Sequence, residues 1–109
     1  MDRHSKICII GAGMVGATSA FAIATHRIAS ELVIIDVNKE KAEGEAMDIN
    51  HGLITMGSMN IHSGEYSDVK DSDIIVVAAG LGRKPGETRL DLAAKNIGIA
   101  KDVAQNIMK

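Results

Sequence analysis

Three short runs of branched aliphatic residues, each leading into a turn, constrain this chain more than anything else in it. Lys6–Ile10 reads KICII, Leu32–Ile35 reads LVII and Asp73–Ala79 reads DIIVVAA. None of the three alternates apolar with polar, so each asks to be covered on both faces, as strands of a parallel sheet are. The stretches between them favour helix. Met14 to about His26 is rich in Ala and free of Pro, with His26 and Arg27 at its negative pole. A second helix is expected from about Lys39 to Leu53, with Asn38 placed to cap it. A third is expected from Leu90 to Lys109, with apolar residues near 90, 93, 97, 100, 103, 104 and 107. Asn60–Ser63 is a weaker strand candidate. Strand, helix, strand, helix, strand, strand, helix predicts an α/β, doubly wound parallel sheet of Rossmann type. Right-handed crossovers then give the strand order 3-2-1-4.

Composition agrees. The 109 residues include no Trp, one Phe and one Tyr, while 46% are apolar, so the core must be aliphatic. The net charge of -2 and the lack of a Lys/Arg cluster give no footprint for nucleic acid. A single cysteine, Cys8, excludes an internal disulfide and fits a reducing compartment. No run approaches the roughly 20 apolar residues of a membrane span, and no signal-peptide core follows Met1. A cytoplasmic protein with no membrane partner is expected. No His/Cys spacing resembles a metal site.

The first turn carries chemistry. Gly11-Ala12-Gly13-Met14-Val15-Gly16 is G-x-G-x-x-G, a weak pattern alone but strong between a strand and a helix. Gly11 permits the tight turn, Gly13 lets a pyrophosphate approach the backbone, and Gly16 lets the helix sit close to the sheet. The free N–H groups of the helix start then face the anion. Asp36 follows Gly16 by 20 residues, at the end of the second strand. That is where an acid would accept the 2′- and 3′-hydroxyl protons of a ribose and repel a 2′-phosphate. Val37 and Asn38 supply no cation for such a phosphate, although Lys39 and Lys41 follow. NAD is therefore the expected cofactor.

The loop Gly80-Leu81-Gly82-Arg83-Lys84-Pro85-Gly86-Glu87-Thr88-Arg89 leaves the strand ending at Ala79. Ligands of open α/β sheets bind beyond that edge. Two arginines six residues apart could hold an anionic substrate, although spacing alone favours a solvated basic loop. The motifs IIGAGMVG, ELVIID, GEAMDINHG and AGLGRKPGETRLDLAAKN resemble the first third of the lactate/malate dehydrogenase family, in register from about Lys6 to Lys109.

The resemblance implies an NAD-dependent oxidoreductase acting on a small 2-hydroxy or 2-oxo acid, and roles for individual residues. Arg89 matches the lid arginine that polarises the substrate carbonyl. Arg83 matches the specificity position, where lactate-type members usually carry glutamine and malate-type members arginine. A second carboxylate on the substrate would pair with Arg83, which favours malate. The flank GETRLDL is closer to lactate-type members. Val15, Tyr66, Gly80 and Asn96 are implied to line the cofactor, with Lys41 near the adenosine.

His4, His26, His51 and His62 match no catalytic histidine of the family. Cys8 reads as an inert core thiol. The resemblance also implies that a catalytic and substrate domain, with the histidine acid/base, belongs beyond Lys109. The chain 1–109 is thus expected to be the first portion of the NAD-binding domain, inactive alone. Its fourth strand would be an open edge, and a homo-oligomer is expected. The alternatives are a lactate dehydrogenase and a non-catalytic nucleotide-binding module. A short-chain reductase would call for a different glycine spacing.

Overall fold

In a computed structural model, which describes residues 5–52, 59–79 and 85–108, the strands form one parallel sheet. Strand β1 is Lys6–Ile10, β2 Glu31–Ile35, β3 Asn60–Ser63 and β4 Ile74–Val77. The order across the sheet is β3-β2-β1-β4, as the crossover rule predicts. Helix α1 spans Met14–His26, α2 Lys39–Gly52 and α3 Arg89–Ile107. A short 3-10 helix, Tyr66–Val69, precedes β4; nothing in the apolar pattern announces it.

The unbroken aliphatic runs explain the two layers. Alternate side chains of one strand point to opposite faces. Ile7, Ile9, Leu32 and Ile34 face one layer, where Ala20 and Ala24 of α1 and Ala42, Ala46 and Ile49 of α2 meet them. Cys8, Ile10, Val33 and Ile35 face the other, against Val69 of the 3-10 helix and Val103 of α3. Ile9, Leu32 and Val33 are fully enclosed. Each such side chain contributes roughly 1.5–3 kcal/mol by leaving water. Small residues on α1 and α2 let both helices lie close to the sheet.

Element ends follow local chemistry. Thr88 caps α3: its Oγ1 accepts the Asp91 N–H at 3.1 Å, while Asp91 Oδ2 accepts the Thr88 N–H at 3.2 Å. That box starts the helix at Arg89, one residue before the apolar pattern does. Asn38 Oδ1 accepts the Lys41 N–H, as its capping position predicts. Arg27, in the left-handed region at φ 51°, ends α1. Strand β4 is shorter than the run Asp73–Ala79; just before it, Asp73 Oδ2 accepts the Lys6 N–H at 2.9 Å. β4 is an edge, and Ile74 and Val77 on it are about half exposed.

Register decides what meets at the site. Ile10 pairs with Ile35 on one side and Val77 on the other. The carboxyl ends of β1, β2 and β4 are therefore level, and Gly11, Asp36 and Ala78 leave the sheet side by side.

Candidate cofactor site

The glycine turn is held from three directions. The Gly11 N–H donates to the Ile35 carbonyl at 2.7 Å, and the Ala78 N–H donates to the Ile10 carbonyl at 2.8 Å. Gly11 has φ 108°, and a Cβ there would stand 2.7 Å from the backbone of Ala78 and Ala79. Only glycine meets both demands. At Gly16 a Cβ would lie 1.8 Å from the Gly11 carbonyl oxygen, so helix α1 starts in direct contact with the turn. Gly13 differs. It takes the N-cap of α1 with no side-chain cap, and a Cβ there would meet nothing within 4 Å. Open space in front of a helix start whose N–H groups lack a side-chain partner is what an incoming anion needs.

Asp36 stands beside this turn. Its Oδ2 accepts the Ala12 N–H at 2.7 Å and its Oδ1 accepts the Asn38 N–H at 2.9 Å. Each oxygen keeps lone-pair capacity for a further donor, so the carboxylate is aimed and still available. A groove of about 640 Å³ runs from Gly11 and Gly13 past Asp36, Val37, Lys41 and Tyr66 to Ala78, Ala79 and the α3 residues Lys95, Gly98, Ile99, Asp102 and Val103. That is the size of pocket in which a cofactor is held. The residues present fit a dinucleotide: an open phosphate approach at Gly13, a fixed carboxylate at Asp36, and apolar walls between.

Of the residues singled out in the sequence, Gly11, Gly13, Asp36, Lys41 and Tyr66 line this groove. Ala12 and Gly16 build the turn from behind, both buried. Met14 and Val15 begin α1 with largely exposed side chains and stand outside the groove lining. Asn96 is half-buried on α3 next to the lining residue Lys95. Arg89 is exposed at the first position of α3. Gly80 and Arg83 lie outside the described residues.

Tyr66 comes from the 3-10 helix. Burial first, then the carboxylates of Asp102 and Asp36, raise its phenol above the ordinary value, so it is a neutral hydroxyl at physiological pH. Tyr66 and Lys70 also have the Tyr-x-x-x-Lys spacing of a short-chain reductase. Here Tyr66 faces the groove, whereas Lys70 closes the 3-10 helix and its carbonyl accepts from Lys6 Nζ.

Several contacts are not legible in the sequence, among them these. A second hollow, about 400 Å³, shares Asp36, Val37 and Tyr66 with the groove and adds Lys39 and Glu65. Lys39 Nζ and Glu65 Oε1 are 2.5 Å apart. On β3, His62 Nε2 lies 2.7 Å from Glu31 Oε2 and Nδ1 lies 3.0 Å from the Ser63 carbonyl oxygen. Burial pulls the imidazolium down, but Glu31, Ser63 and Asp68 outweigh it and raise the His62 pKa above its ordinary value. Cys8 Sγ is 2.9 Å from Ser72 Oγ, and burial pushes its thiol up, as an inert core cysteine requires. Among the described residues, no group of three or more His, Cys, Asp or Glu could hold a metal ion, and no helix is long and apolar enough to cross a membrane.

Residues 5–109 match the lactate/malate dehydrogenase NAD binding domain. An L-lactate dehydrogenase of Clostridium perfringens (strain SM101 / Type A) is 51% identical over 108 residues, 99% of this chain and 34% of the relative. The chain thus spans about a third of the length of such relatives. Among solved structures, an L-lactate dehydrogenase from Clostridium thermocellum is 59% identical with a TM-score of 0.79, covering 96% of this chain and 32% of that one. A malate dehydrogenase from Archaeoglobus fulgidus in complex with NADH is 48% identical with a TM-score of 0.88, covering 94% and 35%. The glycine turn, the acid that follows it and this match over nearly the whole chain lead to one conclusion: the chain belongs to the lactate/malate dehydrogenase family, in the part that binds NAD.

Proposed function

We propose that this chain supplies the cofactor half of an NAD-linked 2-hydroxy-acid dehydrogenase, and that Gly11–Gly16 and Asp36 clasp the two ends of the adenosine diphosphate. The observation that carries this reading is the Asp36 carboxylate, fixed by Ala12 and Asn38 beside an open helix start at Gly13. The cofactor, when bound, supplies or accepts the hydride. Tyr66 and Lys41 border the adenosine side, and Val15, Gly80 and Asn96 serve the remainder of the cofactor. Arg89, at the start of α3, stabilises negative charge growing on the substrate carbonyl oxygen, an interaction strongest in the transition state.

Two substrates compete. Arg83 favours malate and oxaloacetate, since an arginine pairs with their second carboxylate. The relatives named L-lactate dehydrogenase, at about 50% identity, favour lactate and pyruvate. The acid/base group and the rest of the substrate site belong to the two thirds of the relatives that this chain does not span. Residues 1–109 alone then bind NAD weakly and turn over neither acid, and the working protein is a cytoplasmic homo-oligomer.

A dinucleotide titration tests the core of this reading. NADH added to the chain is followed by its fluorescence, with Asp36→Ala alongside. Losing hydrogen bonds from a charged acceptor costs about 1.5–3 kcal/mol, so affinity should fall roughly 10- to 100-fold. Equal affinity for both proteins refutes the placement. In a protein extended to the length of the relatives, Arg83→Gln should shift preference from oxaloacetate toward pyruvate; no shift removes Arg83 from the substrate site.

A further inference from the structure

The ribose acid stands at the junction of two cavities. Asp36, Val37 and Tyr66 line both the 640 Å³ groove and the 400 Å³ hollow. A hydroxyl held by Asp36 from the groove would stand beside the hollow, since Asp36 lines both. A phosphate esterified to that hydroxyl would need room and charge there. The room exists; the charge is wrong. Among the described residues, the hollow's ionised groups are Asp36, Glu65 and Lys39. Glu65 takes the lysine, with Nζ and Oε1 2.5 Å apart, and leaves the hollow net negative. Lys41, the next cation along α2, lines the groove and not the hollow.

We propose that Glu65 is a second determinant of NAD over NADP: it ties down the one cation among the described residues of the hollow and sets its own carboxylate where a 2′-phosphate would go. This deepens the cofactor reading and rests on Asp36 holding the ribose. Glu65 lies 29 residues beyond Asp36, after β3, so the fingerprint motif does not include it. Both partners are well exposed, at 70% and 63% of their side chains, so the pair adds little stability. Its influence is on where charge stands in the hollow, and that influence is screened by salt.

Binding of NADH and NADPH to the chain, read by dihydronicotinamide fluorescence, tests this in four proteins. These are the parent, Asp36→Ser, Asp36→Ser with Glu65→Gln, and the latter with Lys39→Met. Glutamine keeps the backbone bond from the Glu65 N–H to Asp68 Oδ2, so the 3-10 helix should persist, checked by circular dichroism. With Ser at 36, Glu65→Gln should tighten NADPH about two- to fivefold, as expected for one surface charge pair. NADH should move less than twofold. The gain should shrink in 0.5 M salt and fall with Lys39→Met, which leaves only the removed repulsion of the carboxylate. NADPH affinity unchanged by Glu65→Gln overturns the proposal, as does equal tightening of both dinucleotides. Failure of the parent to bind NADH at all sinks the cofactor reading itself, and this inference with it.

Discussion

Gly16→Ala should remove a large share of the protein's stability, whereas Gly13→Ala should leave it folded with weakened binding. At position 16 the new methyl would sit 1.8 Å from the Gly11 carbonyl oxygen and 2.9 Å from its carbon. Real Cβ atoms do not approach closer than 3.0 Å, so the start of α1 must lift by more than an ångström. The obstacle is backbone, itself pinned to Ile35, and cannot swing aside. Lifting α1 also separates Ala20 and Ala24 from the sheet. Overpacking costs about 1–3 kcal/mol, and alanine's better helix propensity returns about 1 kcal/mol at most. The lost burial adds to the cost, so a net loss of roughly 2–3 kcal/mol is expected, using the overpacking range as the guide. A chain this size has about 5–15 kcal/mol in all. Urea unfolding followed by circular dichroism measures it, with Gly44→Ala as control. Gly44 lies in α2 with nothing within 4 Å of its Cβ, so alanine there should add about 0.5–1 kcal/mol. Gly13→Ala should cost about 0.5–1 kcal/mol, because alanine is a poorer N-cap than glycine, yet weaken NADH binding at least tenfold. If Gly16→Ala is as stable as the parent, the close contact between helix and turn is wrong.

Three further outcomes follow from particular contacts. The His62 pKa is raised on folding, so its contribution is complete below the unfolded value and disappears as pH rises through the folded one. His62→Gln should therefore cost up to about 1 kcal/mol near pH 5.5 and almost nothing near pH 9, a surface-pair magnitude since the ring is partly exposed; a pH-independent cost would rule out the ion pair with Glu31. Cys8, wholly enclosed and with a raised thiol pKa, should react with a disulfide reagent only as fast as the protein opens, and reaction at the rate of a free thiol would contradict its burial. The half-exposed Ile74 and Val77 on edge strand β4 should make the chain self-associate at high concentration, and Val77→Lys should reverse this in sedimentation equilibrium. A parent that stays at its 11.5 kDa monomer mass throughout would refute it.

The sheet was legible because its strands are buried on both faces and so carry an unmistakable run of branched residues. Strand order then followed from handedness alone. The turn at Gly11 and the acid at Asp36 were legible for a related reason: their roles depend on backbone shape and on a distance along the chain. What stayed hidden depends on register instead. Glu65 meets Lys39 and His62 meets Glu31 only because β3 lies against β2 with Ile61 beside Leu32. No local pattern marks partners 26 and 31 residues apart. The 3-10 helix was missed because four residues with one buried apolar position, Val69, make no periodic signal. Tyr66 entered through resemblance, and only the fold supplies its physical reason, a place between two carboxylates at the mouth of two cavities.

The crowding at Gly11 reaches beyond the cradle it forms. This one residue touches the exits of three strands, and the chain leaving β4 toward the arginine segment runs past it with no slack. With 2.7 Å between the Gly11 Cβ position and the backbone of Ala78 and Ala79, neither the turn nor that exit can shift inward without moving the other. Changes at Ala78 and Ala79, just beyond β4, will thus be felt in the turn at Gly11, and changes in that turn will be felt at the strand's exit.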